Sequence, residues 1–195
     1  AAGGRETGGV EYGRTVEAYA VGGSWVTVAP LPTGRLAAAG GALGGRLYVL
    51  GGWANGVEFA DVVEVYAPGN DSWQTAAPMP TGRHSLAVVA VGDALYALGG
   101  YSGGTRDTLE VYTLATLGWL TAAPMPTGRA RLAAAAVGDM VYAVGGETVS
   151  RRFMDVLEVY VPASDSWATA APMPTARREL VAVAVGDMLF AAGGE

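Results

Sequence analysis

Cysteine and lysine are both absent from the 195 residues, and there is one histidine, His84. Without cysteine there is no disulfide, no thiolate metal site and no thiol nucleophile, and cysteine usage leaves the redox compartment open. All twelve basic residues are therefore arginine, against eighteen acidic ones, for a net charge of -6. An acidic chain without a basic stripe is poorly built to neutralise phosphates, so no nucleic-acid partner is expected. A single histidine confines any Ser-His-Asp arrangement to the neighbourhood of His84, and no G-x-S-x-G sequence is present. No metal or cofactor is expected. Long hydrophobic runs are missing too. The longest, such as Leu132–Val137 and Leu180–Val185, stop at Gly-Asp, far short of the roughly 20 residues a spanning helix needs. No membrane partner is expected, and no signal peptide is visible. Apolar residues make up 51% and glycines number 30, a composition of a compact, turn-rich fold rather than of disorder.

What the chain does contain is repetition. Gly-Gly pairs stand at Gly3-Gly4, Gly51-Gly52, Gly99-Gly100, Gly145-Gly146 and Gly193-Gly194, at intervals of 48, 48, 46 and 48 residues. Trp25, Trp73, Trp119 and Trp167 keep the same step, as do Pro30, Pro78, Pro124 and Pro172, which each open a Pro-[Leu/Met]-Pro-Thr run. Glu17, Glu64, Glu110 and Glu158 each precede a Tyr by two residues. Self-similarity at such a period marks a repeat architecture.

Each unit reads as four short strands. The first is small and apolar (Leu36–Ala42, Ser85–Val91, Arg131–Val137, Glu179–Val185), and a Gly-Gly or Gly-Asp turn follows. The second (Leu47–Leu50, Leu95–Leu98, Val141–Val144, Leu189–Ala192) ends at the Gly pair. The third (Thr15–Tyr19, Val62–Tyr66, Thr108–Tyr112, Val156–Tyr160) alternates Val, Glu, Val, Tyr, the period of a strand with two unlike faces. The fourth begins at the Trp. No segment carries a helical apolar period, so the fold class is all-β. A four-stranded unit cannot bury both faces alone, and radial repetition solves that problem.

With Gly-Gly after an apolar strand, Glu-x-Tyr, Trp and a Pro-x-Pro-Thr-x-Arg segment in register four times, the chain resembles the kelch-repeat family. The resemblance covers essentially the whole sequence. It implies a kelch-type β-propeller of four antiparallel strands per unit, where members commonly have six or seven blades. The expectation is a single domain over residues 1–195, with units of approximately 5–52, 53–100, 101–146 and 147–194. The fourth unit is split: residues 4–32 supply third and fourth strands, and residues 177–194 supply first and second strands. Ala1–Gly4 and Ala191–Gly194 both read Ala-Ala-Gly-Gly, and two copies cannot occupy one strand position. This favours a segment of a larger propeller, with further kelch repeats of the same parent chain as partners, over a closed four-unit ring.

Repeated residues belong to a scaffold and irregular ones to a site. Glu64, Glu110 and Glu158 are expected to pair with the repeated arginines (Arg35, Arg83, Arg129, Arg177) or with backbone N–H groups rather than to form a carboxylate ring. The tryptophans are expected to pack blades. The Gly pairs precede no helix and are no phosphate loop. The resemblance implies that loops entering the first strand, and loops joining the second to the third, line one mouth of the channel. That selects His84, Ser85, Arg131, Arg178 and Glu179 from the first set. The second contributes Trp53, Asn55, Tyr101, Arg106, Arg151 and Arg152, beside Glu147 and Phe153. Arginine and aromatic side chains on loops of a rigid scaffold are the usual material of a binding surface, and Arg can hold a carboxylate by two prongs.

The reading is a non-catalytic binding or scaffold module for a protein or peptide, with an acidic partner the one that the arginines suit. The alternative is a carbohydrate-active propeller, either lectin-like or a sialic-acid-type isomerase, with Glu179 as base and Arg131, Arg178 and His84 nearby. The copper radical oxidases of kelch-like type need a Cys and two His, which this chain lacks. The lysine-free, Ala/Gly/Arg-rich composition suggests a bacterial, GC-rich source. The compartment is not readable.

Overall fold

The computed structural model describes residues 12–54 and 56–195. Asn55 and the first Gly pair lie outside the described residues. Two compact units divide the chain, Ala1–His84 and Ser85–Glu195.

The first unit holds β1 (Glu17–Tyr19), β2 (Trp25–Thr27), β3 (Arg35–Leu36), β4 (Ala39–Leu43), β5 (Arg46–Leu50), β6 (Trp53–Ala54), β7 (Val63–Ala67) and β8 (Ser72–Thr75). Strands β4-β5-β7-β8 form one antiparallel sheet, and β1-β2 and β3-β6 form two-stranded ones. The second unit holds β9 (Ala87–Val91), β10 (Ala94–Leu98), β11 (Leu109–Thr113), β12 (Gly118–Ala122), β13 (Ala133–Val137), β14 (Met140–Val144), β15 (Leu157–Val161), β16 (Ser166–Ala170), β17 (Val181–Val185) and β18 (Met188–Ala192). Its sheets are β9-β10-β11-β12, β13-β14-β15-β16 and the pair β17-β18. Among the described residues there is no α-helix, only a 3-10 turn at Pro162–Ser164. The all-β, four-strand reading therefore holds.

The register repeats. Tyr66 faces Leu47, Tyr112 faces Leu95 and Tyr160 faces Val141, while Glu64, Glu110 and Glu158 face Val49, Ala97 and Ala143. In β7 both faces are buried, since Val63, Glu64, Val65 and Tyr66 are all shielded. In the second unit the sheet face of Ala87, Tyr96, Leu98 and Val111 packs on Val141, Ala143 and Tyr160 of the next sheet. The other face of that sheet, with Ala133 and Val144, packs on Ala182, Leu189 and Ala191 of β17-β18. Fully burying a Leu such as Leu98 or Leu109 is worth about 1.5–3 kcal/mol. Alanine dominates β13, where sheet meets sheet on both sides.

The Gly pairs have a steric cause. Gly99 and Gly100 have φ of 60° and 101°, and Gly145 and Gly146 have 59° and 106°. A Cβ on Gly99 would stand 2.5 Å from the Arg129 carbonyl oxygen. Only glycine accepts both the left-handed backbone and that approach.

First strands start later than the sequence pattern predicts. Ala37, Ser85, Arg131 and Glu179 adopt φ of 50°, 54°, 54° and 53°, so regular pairing begins two residues further on, at Ala39, Ala87, Ala133 and Val181. In the hairpin turns that follow, Gly92, Gly138 and Gly186 take positive φ, whereas their Asp neighbours do not.

Candidate functional site

The left-handed residues are joined by a backbone ladder in the second unit. The Arg131 N–H donates to the Ser85 carbonyl at 2.8 Å, and the Glu179 N–H donates to the Arg131 carbonyl at 2.8 Å. A left-handed residue that is not Gly costs about 1–2 kcal/mol. Here these residues stand at the strand entrances, two residues ahead of regular pairing. Arg131 and Glu179 are thereby brought together, with Arg131 Nη1 2.6 Å from Glu179 Oε1.

Around this pair the second unit assembles a charged cluster. Glu147 lies 3.1 Å from Arg131 Nε as an ion pair and accepts a hydrogen bond from Arg178 Nη1 at 2.5 Å, so one carboxylate bridges two guanidiniums. Arg178 Nη2 also reaches Glu195 at 2.5 Å, and its guanidinium lies 4.8 Å over the Phe153 ring. The hydrogen bond to Glu147, then that to Glu195, pushes the Arg178 pKa up. Glu147 is fixed by an isolated bridge to Ala130 and another to Phe153, which tie the loop back to the scaffold. The exposed members are Glu179 and Glu195, with side chains 48% and 59% accessible, while Glu147 is only 10% accessible. Two cations face three carboxylates, so the cluster presents mixed charge on an open loop face.

Other predicted residues take different places. Arg151 and Arg152 are exposed on the neighbouring loop, with Arg151 left-handed at φ 59°. Arg152 lines a cavity of about 230 Å³ with Thr148, Phe153, Met154, Asp155 and Val156. Arg106 turns back on its own loop, donating from Nη2 to the Ser102 carbonyl. Tyr101 closes the same loop by a bridge to Thr105 and is half-buried. In the first unit, His84 is stacked between Trp53 and Phe59, at 6.4 Å and 5.8 Å between ring centroids. Trp53 leaves 39% of its surface exposed.

The scaffold residues behave as scaffold. Arg35 pairs with Glu64 and Arg129 with Glu158, each at 2.6 Å and with both side chains buried. Burial lowers the guanidinium pKa of each Arg, and the carboxylate beside it works the other way. Sequence reasoning missed two features. Glu195 carries no repeat signal, and the left-handed positions hold Ala, Ser, Arg and Glu, types with no preference for that backbone.

Comparison with known proteins places the repeats. The profile of the KLHDC2/KLHL20/DRC7 Kelch-repeats domain matches residues 25–194. Kelch-like protein 21 of Danio rerio is 46% identical over 48 residues, which are 25% of this chain and 8% of that protein. The chain thus spans far less than two thirds of that relative.

Proposed function

Because the chain belongs to the Kelch-repeat family, whose domains are commonly protein-interaction modules, we propose that it is a non-catalytic module that binds a protein or peptide through its loop face. One observation carries this reading: Arg131, Glu147, Phe153, Arg178 and Glu179 form a connected cluster on loops anchored to rigid sheets, with Arg131 and Glu179 reaching solvent. Charged and aromatic groups held on a stiff frame bind with little ordering cost. An acidic partner fits by exchange. Its carboxylates would displace the exposed Glu179 and Glu195 from Arg131 and Arg178, while the shielded Glu147 keeps the two guanidiniums spaced.

The test is selection of displayed peptides against the 195-residue chain, followed by affinity measurement on Arg131→Ala, Arg178→Ala and Phe153→Ala. Enriched sequences should carry Asp or Glu, and Arg178→Ala should weaken binding at least tenfold while the thermal midpoint stays in place. Selected peptides that bind all three variants as tightly as the parent, or turnover of a sugar acid that depends on Glu179, would overturn the proposal.

A further inference from the structure

One place in the repeat is filled differently in the two units. In the second unit, Glu147 stands opposite Ala130 at the strand entrance. The next residue, the left-handed Arg131, brings its Nε to 3.1 Å from the Glu147 carboxylate. Arg178, from the following entrance, reaches Glu147 with Nη1 and lies over the Phe153 ring. The first unit repeats this backbone. Trp53 stands opposite Leu36, and the left-handed Ala37 follows. The Ala60 N–H donates to the Gly52 carbonyl as the Met154 N–H does to Gly146. In this frame Trp53 replaces Glu147, Phe59 matches Phe153, His84 replaces Arg178 and Ala37 replaces Arg131.

The exchange changes what the place can hold. His84 lies 5.8 Å from the Phe59 ring and 6.4 Å from Trp53, at interplanar angles of 19° and 23°. Ala37 ends at its Cβ, so the guanidinium that Arg131 sets against position 147 has no counterpart at position 53. Trp53 keeps 39% of its surface in solvent. The charge along this stretch is of one sign: residues 47–82 hold Glu58, Asp61, Glu64 and Asp71 and no arginine. Glu64 is engaged by Arg35, and Asp71 by the Ala29 N–H and the Tyr66 hydroxyl. Glu58 and Asp61 are exposed on either side of Phe59, and their carboxylates form no ion pair among the described residues.

We propose that Trp53, with Glu58 and Asp61, is a subsite for an arginine side chain of a partner protein. The partner's guanidinium takes, against the indole, the place that Arg131 takes against Glu147. An indole face attracts a cation, and a planar, weakly hydrated guanidinium stacks on it. The two unpaired carboxylates add attraction that is strongest at low salt. His84, stacked between Trp53 and Phe59, holds the indole in place, so little order is lost on binding. The subsite takes the opposite charge from the cluster of the second unit and rests on none of its residues, so either can fail alone.

The probe is N-acetylarginine N-methylamide, titrated at low ionic strength into the isotope-labelled 195-residue chain. Binding is followed by NMR at the Trp53 indole N–H, which Trp53→Phe identifies. The uncharged citrulline analogue has the same planar end and is the matched control. Saturable shifts at Trp53 are expected, with arginine binding at least fivefold more tightly than citrulline. Glu58→Gln combined with Asp61→Asn should weaken arginine binding at least threefold while the thermal midpoint stays in place. Ala37→Arg supplies a guanidinium from the chain itself, on a backbone conformation that Arg131 already adopts, and should abolish binding. Arg46→Gln, removing an exposed arginine elsewhere, should change nothing. Equal affinity for arginine and citrulline, absence of a shift at Trp53, indifference to the double carboxylate change, or undiminished binding by the Ala37→Arg chain would each overturn the proposal.

Discussion

The indole of Trp167 donates to the Ala123 carbonyl at 2.7 Å, and Asp165, two residues earlier, accepts the N–H of that same Ala123 at 2.8 Å. One residue is held by both its backbone polar groups from the adjacent sheet. Trp73 and Asp71 hold Ala29 in the same way. Trp167→Phe keeps most of the packing but leaves a carbonyl unmet, which costs about 1–3 kcal/mol. Chemical denaturation should show that loss with an unchanged m-value. A Trp167→Phe chain as stable as the parent would remove the clamp from the account.

Acid stability follows from the same clamps. The Ala29 N–H, then the Tyr66 hydroxyl, holds the Asp71 pKa below its ordinary value, and the Ala123 N–H and Tyr160 hydroxyl do so for Asp165. A depressed carboxyl pKa means the unfolded chain binds the proton more readily. The stabilisation is therefore complete above the unfolded value of about 3.9 and is lost as pH falls through the lower folded value. Asp71→Asn with Asp165→Asn should flatten the stability curve below about pH 4, measured by denaturant midpoints. On the alkaline side, burial first and the Asp165 bond second raise the Tyr160 pKa, so its contribution is present below about pH 10 and fades above it.

Repetition made the scaffold legible and left the loops obscure. Glu64 and Glu158 could be given to the repeated arginines as a class because each type recurs at the same step, and the structure supplies the partners, Arg35 and Arg129. Strand starts were misplaced by two residues or more because φ at Ser85, Arg131 and Glu179 is set by the ladder between strand entrances, not by residue type. Arg106 was grouped with the binding face, yet its side chain returns to the Ser102 carbonyl, a choice made by loop conformation alone.

Leu117 occupies the left-handed turn position that Asp71 and Asp165 fill elsewhere, at φ 51° and with 63% of its surface exposed. Leucine gains nothing from that exposure and bears the steric cost of the backbone. Aspartate tolerates the conformation better. Leu117→Asp should raise stability by about 1 kcal/mol, read as an increase in the thermal midpoint. A fall in the midpoint would show that the Leu side chain contributes packing of its own.

The buried ion pairs should show strong coupling. Glu158 also accepts from the Thr127 hydroxyl at 2.7 Å, so its carboxylate is fully engaged. Glu158→Gln strands the Arg129 charge and should cost about 3–5 kcal/mol. Combining it with Arg129→Met should cost less than the sum of the single changes, since the uncompensated charge is gone. Additive losses in a double-mutant cycle would contradict direct coupling.

One substitution placed at two equivalent positions should have unequal consequences. Ala135 and Val183 stand 48 residues apart on the same sheet face, in β13 and β17. Ala135 is covered by β17 and is 5% exposed, whereas Val183 is 51% exposed, in a stripe with Val181, Val185, Met188 and Phe190. Ala135→Thr forces an extra atom and an unmet hydroxyl between packed sheets, at a cost of about 1–3 kcal/mol. Val183→Thr keeps the shape and the strand preference and puts its hydroxyl in water, so stability should move by no more than about 0.5 kcal/mol. Contiguous exposed apolar surface promotes association, so the same change should lower binding of a hydrophobic dye and reduce light scattering at high concentration. Equal destabilisation at both positions would mean that the Val183 face is covered in solution.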